Sequence, residues 1–250
     1  MAETRYTPRL DLPYSIERGR SQVIQCAVYA GATLSAPTSG TCTLYAPAGQ
    51  AATGAVSIVS DIAEFTVSGL TSYSYGEGWA VEWALLMGDG ATHTFRTSAA
   101  LCRTAPQQTI TPADLYRREP FLDPSGAGAI SSETWADQCL EAHLELERRL
   151  WQRGRRPWQI VDQPSLRQAE LLLALSYAYR ALAARDTSGT AAEQAQHYSK
   201  EAYHAWNRVT IRYDTDGNGT VDDTRRTNAR PSSVWLGSTG RGGWSGRWQR

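Results

Sequence analysis

Apolar and polar residues alternate with a period of two along the first hundred residues of the chain. This pattern is typical of short strands that have one buried face. Clusters of Gly, Pro and Ser separate the runs, and segment 88–91 has the composition of a hairpin loop. Six or seven short strands predict a small antiparallel β-sandwich over residues 1–108. The predicted strands are 22–30, 41–45, 55–59, 63–67, 79–87 and 92–101, with a proline-broken edge strand at 6–16.

In the second half of the chain the apolar period changes to three or four residues, which indicates amphipathic helices. Thr111 followed by Pro112 predicts the start of a short first helix, and Pro120 predicts its end. Ser131 or Ser132 is predicted to cap a second, longer helix. The predicted buried face of this second helix consists of Trp135, Cys139, Leu140, Leu144 and Trp151.

Two further helices each begin at a predicted capping box, in which Ser or Thr precedes Gln or Glu by three positions. The first box opens at Ser165, and the most apolar helix of the chain follows it. The second opens at Thr190, and its helix is predicted to continue to Tyr213. Three long helices joined by short loops predict an antiparallel helical bundle over residues 109–213. The expected fold class is therefore multidomain α+β.

The last segment, residues 214–250, has few aliphatic residues and too little apolar area to fold alone. Its acidic residues all precede its six arginines, and three tryptophans lie among the arginines and glycines. We expect an extended arm that becomes ordered on a partner, with Trp and Arg side chains as anchors. A groove on another protein is the favoured partner, and single-stranded nucleic acid is the alternative. The predicted anchors are Arg225, Arg226, Arg230, Trp235, Arg241, Trp244, Arg247 and Trp248.

Composition and charge exclude several classes of protein. With 41% hydrophobic and 20% charged residues, the chain has the balance of a globular protein. Its 25 basic and 25 acidic residues disfavour a generally basic nucleic-acid-binding protein. The longest apolar run, at 171–175, is far too short to span a membrane, and residues 1–13 lack the apolar core of a secretory signal. Four cysteines without metal or disulfide spacing are expected to be buried thiols: Cys26, Cys42, Cys102 and Cys139.

An Asp-rich segment at the start of the arm matches a known cation-binding pattern. Residues 214–222 fit the first nine positions of a D-x-[DN]-x-[DN]-G calcium loop, in which Gly219 would allow the sharp turn. The sequence departs from the pattern at position twelve, where Arg225 replaces the bidentate Glu. A structural calcium ion and a tight solvated turn without an ion both remain open. The candidate ligands are Asp214, Asp216, Asn218, Thr220 through its carbonyl, and Asp222.

A basic cluster follows the second predicted helix. One interpretation is a solvated helix end, where arginines interact favourably with the helix dipole. The alternative is an interface with a neighbouring subunit, to which Arg is well suited because it forms bidentate and stacked contacts. The candidate subunit-interface residues are Arg153, Arg155, Arg156 and Trp158.

The sequence contains no catalytic signature. The motifs G-x-S-x-G, H-E-x-x-H and G-x-x-x-x-G-K and the dinucleotide fingerprint do not occur. His197 and His204 lie seven positions apart, which is too far for the i, i+4 ligation of a shared metal ion. His93 and His143 lie on other predicted elements, and all four histidines are expected at the surface or the core edge. We therefore expect a protein that is not an enzyme.

Four runs in the second half of the chain resemble head–tail connector (adaptor) proteins of tailed bacteriophages. They are ITPADL at 110–115, GRRPWQIVD at 154–162, SLRQA at 165–169 and WNRVTIRYDTDG at 206–217. The resemblance extends over residues 110–235, about half of the chain. The N-terminal strands resemble the small immunoglobulin-like modules that decorate many virion proteins.

The resemblance implies a structural role in the neck of a virion, in a protein made in the host cytoplasm. Connector proteins form a ring, commonly of twelve copies, beneath the portal of the filled capsid. Their helical bundles surround the channel, through which double-stranded DNA passes without specific binding. The C-terminal arms dock on the portal, and the lower face receives the next tail component. On this mapping the portal anchors include Arg230, Trp235, Arg241, Trp244 and Trp248.

Two other functions remain open from the sequence. A calcium-dependent adhesion or glycan-binding virion protein would use the sandwich, with Tyr73, Tyr75, Trp79 and Trp83 stacking on sugar. Alternation puts Trp79 and Trp83 on the same face as Val81, which favours core packing instead. A hydrolytic virion enzyme would need a pair of carboxylates in a cleft, and the sequence alone does not locate such a pair.

Overall fold

The protein is an α+β molecule in which several antiparallel sheets precede four α-helices. This computed structural model describes residues 5–9, 12–126, 134–185, 189–215 and 217–226, and the helix count refers to these residues. None of the helices within these ranges is both long and apolar enough to cross a bilayer.

Two separate hydrophobic cores divide the described chain. The first contains buried residues from Ile16 to Leu101, and the second contains buried residues from Ile110 to Tyr213. The part around the first core, residues 5–102, is called the β unit below. The part around the second core, residues 110–226, is called the helical unit.

The strands of the β unit are short, with two long strands at its end. They are β1 (Tyr6–Pro8), β2 (Tyr14–Glu17), β3 (Gln22–Cys26), β4 (Val28–Ala30), β5 (Thr33–Leu34), β6 (Ser39–Ala46), β7 (Gly49–Ala55), β8 (Ser57–Val59), β9 (Ile62–Val67), β10 (Gly76–Leu86) and β11 (Thr92–Cys102).

One five-stranded sheet and two three-stranded sheets surround the first core. The five-stranded sheet has the order β2-β11-β10-β6-β7, and the smaller sheets have the orders β3-β9-β8 and β1-β4-β5. Paired strands run antiparallel except β2 and β11, which are parallel. On β10 the buried side chains alternate with partly exposed ones, as a two-residue period requires. Trp79, Val81 and Trp83 all point into the core, which confirms their predicted packing.

Two predicted strands are each divided between two sheets. Residues 22–30 form β3 and β4, which separate at Ala27, and residues 6–16 contribute to β1 and β2. The prediction of a single strand at 22–30 was wrong because burial alternates without interruption across the break. Ile24, Cys26 and Val28 are all buried, so the hydrophobic pattern carries no sign that the chain changes sheets. The proline-broken edge strand predicted at 6–16 corresponds to β1 and β2, which both lie at sheet edges.

The helical unit contains the four α-helices, three short 3-10 helices and a terminal hairpin. The α-helices are α1 (Pro112–Arg118), α2 (Ala136–Gln152), α3 (Arg167–Ala183) and α4 (Thr190–Arg208); the 3-10 helices are Pro120–Leu122, Pro157–Gln159 and Gln163–Leu166; the hairpin strands are β12 (Thr210–Tyr213) and β13 (Asp223–Arg226). Helix α3 packs against both α2 and α4, and its most apolar stretch is buried.

Both predicted capping boxes were wrong. Ser165 lies in a 3-10 helix and its hydroxyl donates a hydrogen bond to the Asp162 carbonyl, so it does not accept from the start of α3. Thr190 is the first residue of α4, and the residue before it is Gly189 in the left-handed conformation. Short polar residues also form such turns outside helices, which is why the pattern alone misplaced both starts. The predicted caps Ser131 and Ser132 lie outside the described residues.

The fourth helix is shorter than predicted. It ends at Arg208, and the next residues form β12, in which Ile211 and Tyr213 are buried while Thr210 and Arg212 are exposed. Val209 and Tyr213 are four positions apart and fit a helical face as well as a strand. The β-branched residues and the period of two after Val209 favour the strand.

The buried face of α2 differs from the predicted one. Cys139, Ala142, Leu146 and Leu150 face the core, whereas Leu140 is 48% exposed. The prediction selected the largest apolar side chains, and it missed Ala142, which allows α2 to approach its neighbours closely. Helix α2 therefore carries a second apolar stripe, at Leu140 and Leu144, that the core does not use.

Gly40 provides a test of the packing between β6 and β10. A Cβ atom at Gly40 would lie 2.6 Å from the Ala84 carbonyl oxygen, a backbone atom that cannot rotate away. We expect Gly40→Ala to lower the free energy of unfolding by about 2 kcal/mol in urea denaturation. Gly88→Ala is the matched control, because a Cβ there meets no atom within 4 Å. Equal midpoints for the two variants would contradict this packing.

Candidate functional site

The β unit and the helical unit meet at a junction built around Trp158. Trp158 is buried against Ala100 and Cys102, at the end of β11. Trp151 of α2 packs beside it, with the two ring centroids 5.3 Å apart. This small cluster is separate from both main cores, so it attaches the two units without merging their interiors.

Arg156 closes the junction from the solvent side. Its guanidinium lies 4.3 Å from the centroid of the Trp151 ring, within the range of a cation–π contact. The same guanidinium forms a two-pronged ion pair with the carboxylate of Glu77 on β10. Arg can do both at once because it presents a flat stacking face and a fork of N–H donors. The junction residues are Glu77, Trp151, Arg156 and Trp158.

The local sequence directs Trp158 into the junction. Helix α2 ends at Gln152, and Gly154, two positions later, adopts the left-handed conformation with φ of 69°. The N–H of Arg155 then bonds back to the Leu150 carbonyl at 2.9 Å, as in a common helix C-terminal motif. Pro157 begins the 3-10 helix that follows, because its fixed φ suits a first helical position. The chain thus reverses within five residues and turns Trp158 towards β11.

All four candidate subunit-interface residues have partners inside the chain. Arg156 and Trp158 belong to the junction. Arg153 lies 5.4 Å from the centroid of the Trp206 ring, and Arg155 lies 5.7 Å from that of Tyr213. Trp158 is buried and does not belong to a solvated helix end, whereas Arg153 is exposed at the end of α2, as that interpretation expects. Contact with a neighbouring subunit stays a prediction.

Two of the runs that resemble connector proteins are hydrogen-bonded to each other. Ile160 pairs with Tyr213 in an antiparallel bridge, and the Val161 N–H donates to the Arg212 carbonyl at 3.0 Å. The Asp214 N–H donates to the Gln159 carbonyl at 2.8 Å. Segment 159–161 therefore lies along β12 and is joined to it by an isolated bridge at Ile160 and the hydrogen bonds on either side. Residues about 50 positions apart in sequence form one structural element at the base of the arm.

The Asp-rich segment forms the loop of the β12–β13 hairpin. Asp214 is buried, and its carboxylate accepts backbone N–H bonds from Gly217, Asn218 and Gly219 at 2.6 to 3.0 Å. The Asn218 side chain accepts a bond from the Thr220 N–H at 2.6 Å. These local side-chain to backbone bonds define a tight turn. The start of the predicted arm is thus folded onto the helical unit.

The described ligand candidates of the calcium loop use their oxygens within the loop. Three of the roughly four lone-pair positions of the Asp214 carboxylate accept backbone N–H groups. Asp222 accepts both the N–H and the hydroxyl of Thr215 at 2.9 Å. Among the described residues, no cluster of three or more metal-ligating side chains occurs. Asp216 lies outside those residues, so calcium binding stays a prediction.

The hairpin loop also contacts the β unit. A side chain at Gly217 would come within 3.0 Å of the Tyr75 ring, and one at Gly219 would collide with the Arg103 guanidinium. Arg18 covers the Tyr75 ring at 4.9 Å from its centroid. The two glycines of the calcium-like pattern therefore have a second reason to be glycine: they allow the hairpin to lie directly against the β unit.

A cleft of about 960 Å³ opens between the two units. One wall comes from β2, β3 and β4, and the other comes from α2. Exposed apolar side chains line both walls: Val23 is 53% exposed on the first, and Leu140 is 48% exposed on the second. Asp137 and Glu141 lie one helical turn apart beside Leu140, and neither forms an ion pair with another described residue. Asp137 and Glu141 thus make the cleft acidic around Leu140, whereas Arg148 and His143 on the same wall and Arg9 on the opposite wall carry positive charge elsewhere in its lining.

The carboxylates of the cleft all lie on the α2 wall in the described lining. They belong to Asp137, Glu141 and Glu147, and the wall from the β unit contributes only Arg9, apolar side chains and neutral polar ones. Hydrolysis with two carboxylates needs them on opposite sides of the bond to be broken. This cleft does not provide that arrangement among the described residues.

A buried polar cluster lies at the inner end of the cleft. The Glu170 side chain on α3 is 1% exposed and accepts hydrogen bonds from the N–H and hydroxyl of Thr109 in the segment that links the two units. His143 of α2 lies 3.3 Å from Glu170 and 3.5 Å from Glu147. Burial alone would lower the pKa of His143, but hydrogen bonds and charges from the two glutamates outweigh burial and raise its pKa to about 9. A protonated His143 thus compensates the buried charge that holds the linking segment.

The four cysteines and His93 are accounted for by the fold itself: the cysteines are buried, and His93 bonds within a hairpin. Cys26, Cys42, Cys102 and Cys139 are buried free thiols, as predicted, and burial raises the pKa of each to about 12. His93 bonds to Asp89 in the β10–β11 hairpin loop.

The predicted anchors Arg225 and Arg226 belong to β13, but the structure does not describe their side chains. Outside the described residues are Arg230, Trp235, Arg241, Trp244, Arg247 and Trp248.

Sequence reasoning missed Glu77 and Glu170. Glu170 could have been identified from the sequence, because an acidic residue within the most apolar helix is expected to have a buried partner. Glu77 had no signal, because its partner Arg156 is 79 positions away and both side chains are ordinary for a surface.

No protein-family model matches this chain, and no curated protein matches it.

The ion pair of the junction is testable by a double-mutant cycle. We expect Glu77→Gln and Arg156→Gln each to destabilise the chain, with a coupling energy of about 0.5 to 1 kcal/mol, because both side chains are partly exposed. The coupling is measured from the free energy of unfolding of the parent chain, both single variants and the double variant. Arg20→Gln combined with Glu77→Gln is the control pair, since Arg20 bonds Glu17 instead. A coupling of zero would contradict the junction.

The buried cluster predicts a pH dependence of stability. The pKa of His143 is raised from 6.5 to about 9 by folding, so its protonation stabilises the folded chain fully below pH 6.5. That contribution is lost as the pH rises through about 9. We expect the parent chain to lose about 2 kcal/mol more than His143→Gln between pH 6.5 and 9.5, measured by urea denaturation. His204→Gln, on the exposed face of α4, is the control, and its free energy of unfolding should change with pH as that of the parent chain does. If the free energy of unfolding of His143→Gln also changed with pH as in the parent chain, the assignment to His143 would be wrong.

Proposed function

We propose that this chain is a structural protein of a phage virion that joins the capsid portal to the tail. Copies of the chain form a ring, commonly of twelve, around the channel through which double-stranded DNA passes. The β unit is an immunoglobulin-like β-sandwich, the helical unit is an antiparallel bundle, and residues 227–250 form an arm that docks on the portal. The ring lies in the virion neck and also receives the next tail component. The chain is not an enzyme under this proposal.

One observation carries the proposal. The runs at 154–162 and 206–217, which resemble connector proteins, are hydrogen-bonded to each other through Ile160–Tyr213 and the bonds on either side. If the likeness to connector proteins arose by chance, the two segments that carry it would not be expected to pair with each other in the fold. The described chain ends next to this element, with β13, and the proposed arm follows it in sequence. The resemblance and the departure point of the arm thus belong to the same part of the molecule.

The outer surface of the helical unit offers contacts for neighbouring copies. Phe121, Val161 and Tyr203 are each 45% to 58% exposed, on three different elements. Isolated exposed apolar residues are ordinary on a protein surface. In a ring each copy contacts one neighbour on each side, and these exposed apolar side chains are candidates for such contacts.

Several contacts count against the alternative of glycan binding. Trp79 and Trp83 are in the core, and Tyr73 packs edge-on against Trp79 with ring centroids 5.1 Å apart. Tyr75 is covered by Arg18 and by the hairpin loop. Sugar stacking needs an accessible ring face, which the buried Trp79 and Trp83 do not offer, and contacts within the chain already cover part of Tyr73 and Tyr75. The connector function is therefore the better supported of the two.

The test is co-sedimentation of the purified full-length chain with the portal ring encoded by the same phage. We expect binding by the parent chain and at least a tenfold loss when the chain ends at Arg226, because the Trp and Arg anchors supply most of the contact energy. Ending at Arg226 keeps β13 and therefore leaves the hairpin intact. The full-length variant with Trp235, Trp244 and Trp248 replaced by Ser is the matched control, and it should lose binding to a similar degree.

Two further conditions sharpen the experiment. Repeating it in calcium and in chelator tests the loop at residues 214–222, because a structural ion would make portal binding or stability depend on calcium. Unchanged portal binding after removal of residues 227–250 would contradict the assigned role of the arm. Binding of the isolated chain to glycans, with none to the portal, would favour the adhesion alternative instead.

A further inference from the structure

The cleft between the two units has the properties of a peptide-binding groove. Its volume of about 960 Å³ is large enough for an extended segment with bulky side chains. Val23 and Leu140 expose apolar surface from opposite walls, and the acidic side chains of Asp137 and Glu141 flank Leu140. A fitting ligand would therefore combine large apolar side chains with positive charge placed next to Asp137 and Glu141, away from Arg9 and Arg148, which also line the cleft.

The second apolar stripe of α2 needs an explanation that the core does not supply. Cys139, Ala142, Leu146 and Leu150 already fill the core face of this helix. Leu140 and Leu144 lie on the cleft side, where exposure costs about 25 cal/mol for each Å² of apolar surface left in water. Apolar residues on both walls of one cleft, beside two acids that form no ion pair with another described residue, indicate a surface that is covered in the working protein.

The chain itself contains a segment of the required chemistry. Residues 227–250 include Trp235, Trp244 and Trp248 together with four arginines, and they include no acidic residue. This composition complements an apolar groove that is acidic around Leu140, since Trp fills the groove while Arg approaches the carboxylates.

The arm is long enough to reach the cleft of its own chain. The described chain ends at Arg226, which pairs with Thr210 just beyond the C-terminus of α4. Trp206 of α4 lies under Arg153, so this end of α4 is next to the C-terminus of α2. The 17 residues of α2 extend for about 26 Å, whereas the 24 residues that follow Arg226 can span up to about 80 Å. A tethered segment within reach also benefits from a high effective concentration.

We propose that residues 227–250 dock in the cleft of their own chain, with Trp side chains against Val23 and Leu140 and Arg side chains beside Asp137 and Glu141. This docking does not depend on a portal. It gives the arm a place to be held before assembly, so that its three tryptophans are not exposed to other hydrophobic surfaces. A partner that binds the arm must then compete with the cleft.

Site-specific photocrosslinking in the full-length chain tests the proposal. Benzoylphenylalanine is placed at Leu140, and in a matched control at Phe121, which is exposed but does not line the cleft. Equal amounts of ¹⁵N-labelled and unlabelled chains are mixed before irradiation, so that mass spectrometry separates crosslinks within one chain from crosslinks between chains. We expect crosslinks from position 140 to residues 227–250 of the same chain, at about tenfold the yield from position 121.

Charge and salt provide the second part of the test. Asp137→Asn combined with Glu141→Gln should reduce the crosslink yield from position 140 by about threefold, and raised salt should do the same to the parent chain. Equal yields from positions 140 and 121 would overturn the proposal. Crosslinks only between labelled and unlabelled chains would overturn it as well, because the occupant would then be a second copy.

A second measurement uses chains in which no residue of the cleft is replaced. Hydroxyl-radical oxidation of Val23 and Leu140 is compared between the parent chain and the full-length variant with the three arm tryptophans replaced by Ser. We expect slower oxidation of both side chains in the parent chain and equal oxidation of Phe121 in the two proteins. Equal oxidation of Val23 and Leu140 would contradict docking. Neither measurement involves the portal, so their failure is distinguishable from failure of the proposed function.

Discussion

The burial of Trp158 against the end of β11 holds the two halves of this protein together. Each half has its own core, and a small apolar cluster of Ala100, Cys102, Trp151 and Trp158 lies between them. Arg156 adds a stacked contact and an ion pair with Glu77 at the edge of this cluster. Without the junction the two units would be joined only by the linking segment and the hairpin loop. The cleft between them exists because this junction fixes the units at one end and leaves α2 apart from β2 and β3.

The linking segment and the hairpin reinforce the same arrangement. Thr109 is held by the buried carboxylate of Glu170, and His143 supplies the compensating charge. The hairpin loop lies against Tyr75 and Arg103, where its two glycines leave room for close contact. The Asp-rich pattern therefore has a structural role in these contacts whether or not it also binds calcium. The end of the described chain, at Arg226, is thereby fixed relative to both units.

The sequence was a good guide wherever the pattern is local. Trp79 and Trp83 were correctly assigned to the core by alternation, and the first helix starts after Thr111 and ends before Pro120 as predicted. The predictions failed where one hydrophobic pattern fits two different secondary structures or sheet arrangements equally well. Ile24, Cys26 and Val28 alternate across a change of sheet, and Val209 to Tyr213 fit a helix and a strand equally in spacing. The face of α2 was misjudged because large side chains were weighted above Ala142.

The candidate site was less predictable than the fold. The cluster from Arg153 to Trp158 was interpreted as a solvated helix end or as an interface with a neighbouring subunit. Its contact with the β unit was not predicted, because the partner Glu77 is far away in sequence and carries no signal of its own. The cleft follows from the relative placement of two units, which no periodicity encodes. The outward stripe at Leu140 and Leu144 was visible in the sequence, yet it was assigned to the core because an amphipathic helix is expected to have one apolar face.

Electron microscopy of the full-length chain bound to its portal tests the central claim most directly. The account predicts a closed ring of copies on the portal axis, with the helical units side by side around an open channel and density for the arm reaching the portal. Single copies scattered on the portal surface, or no bound density at all, would contradict a connector role for this chain.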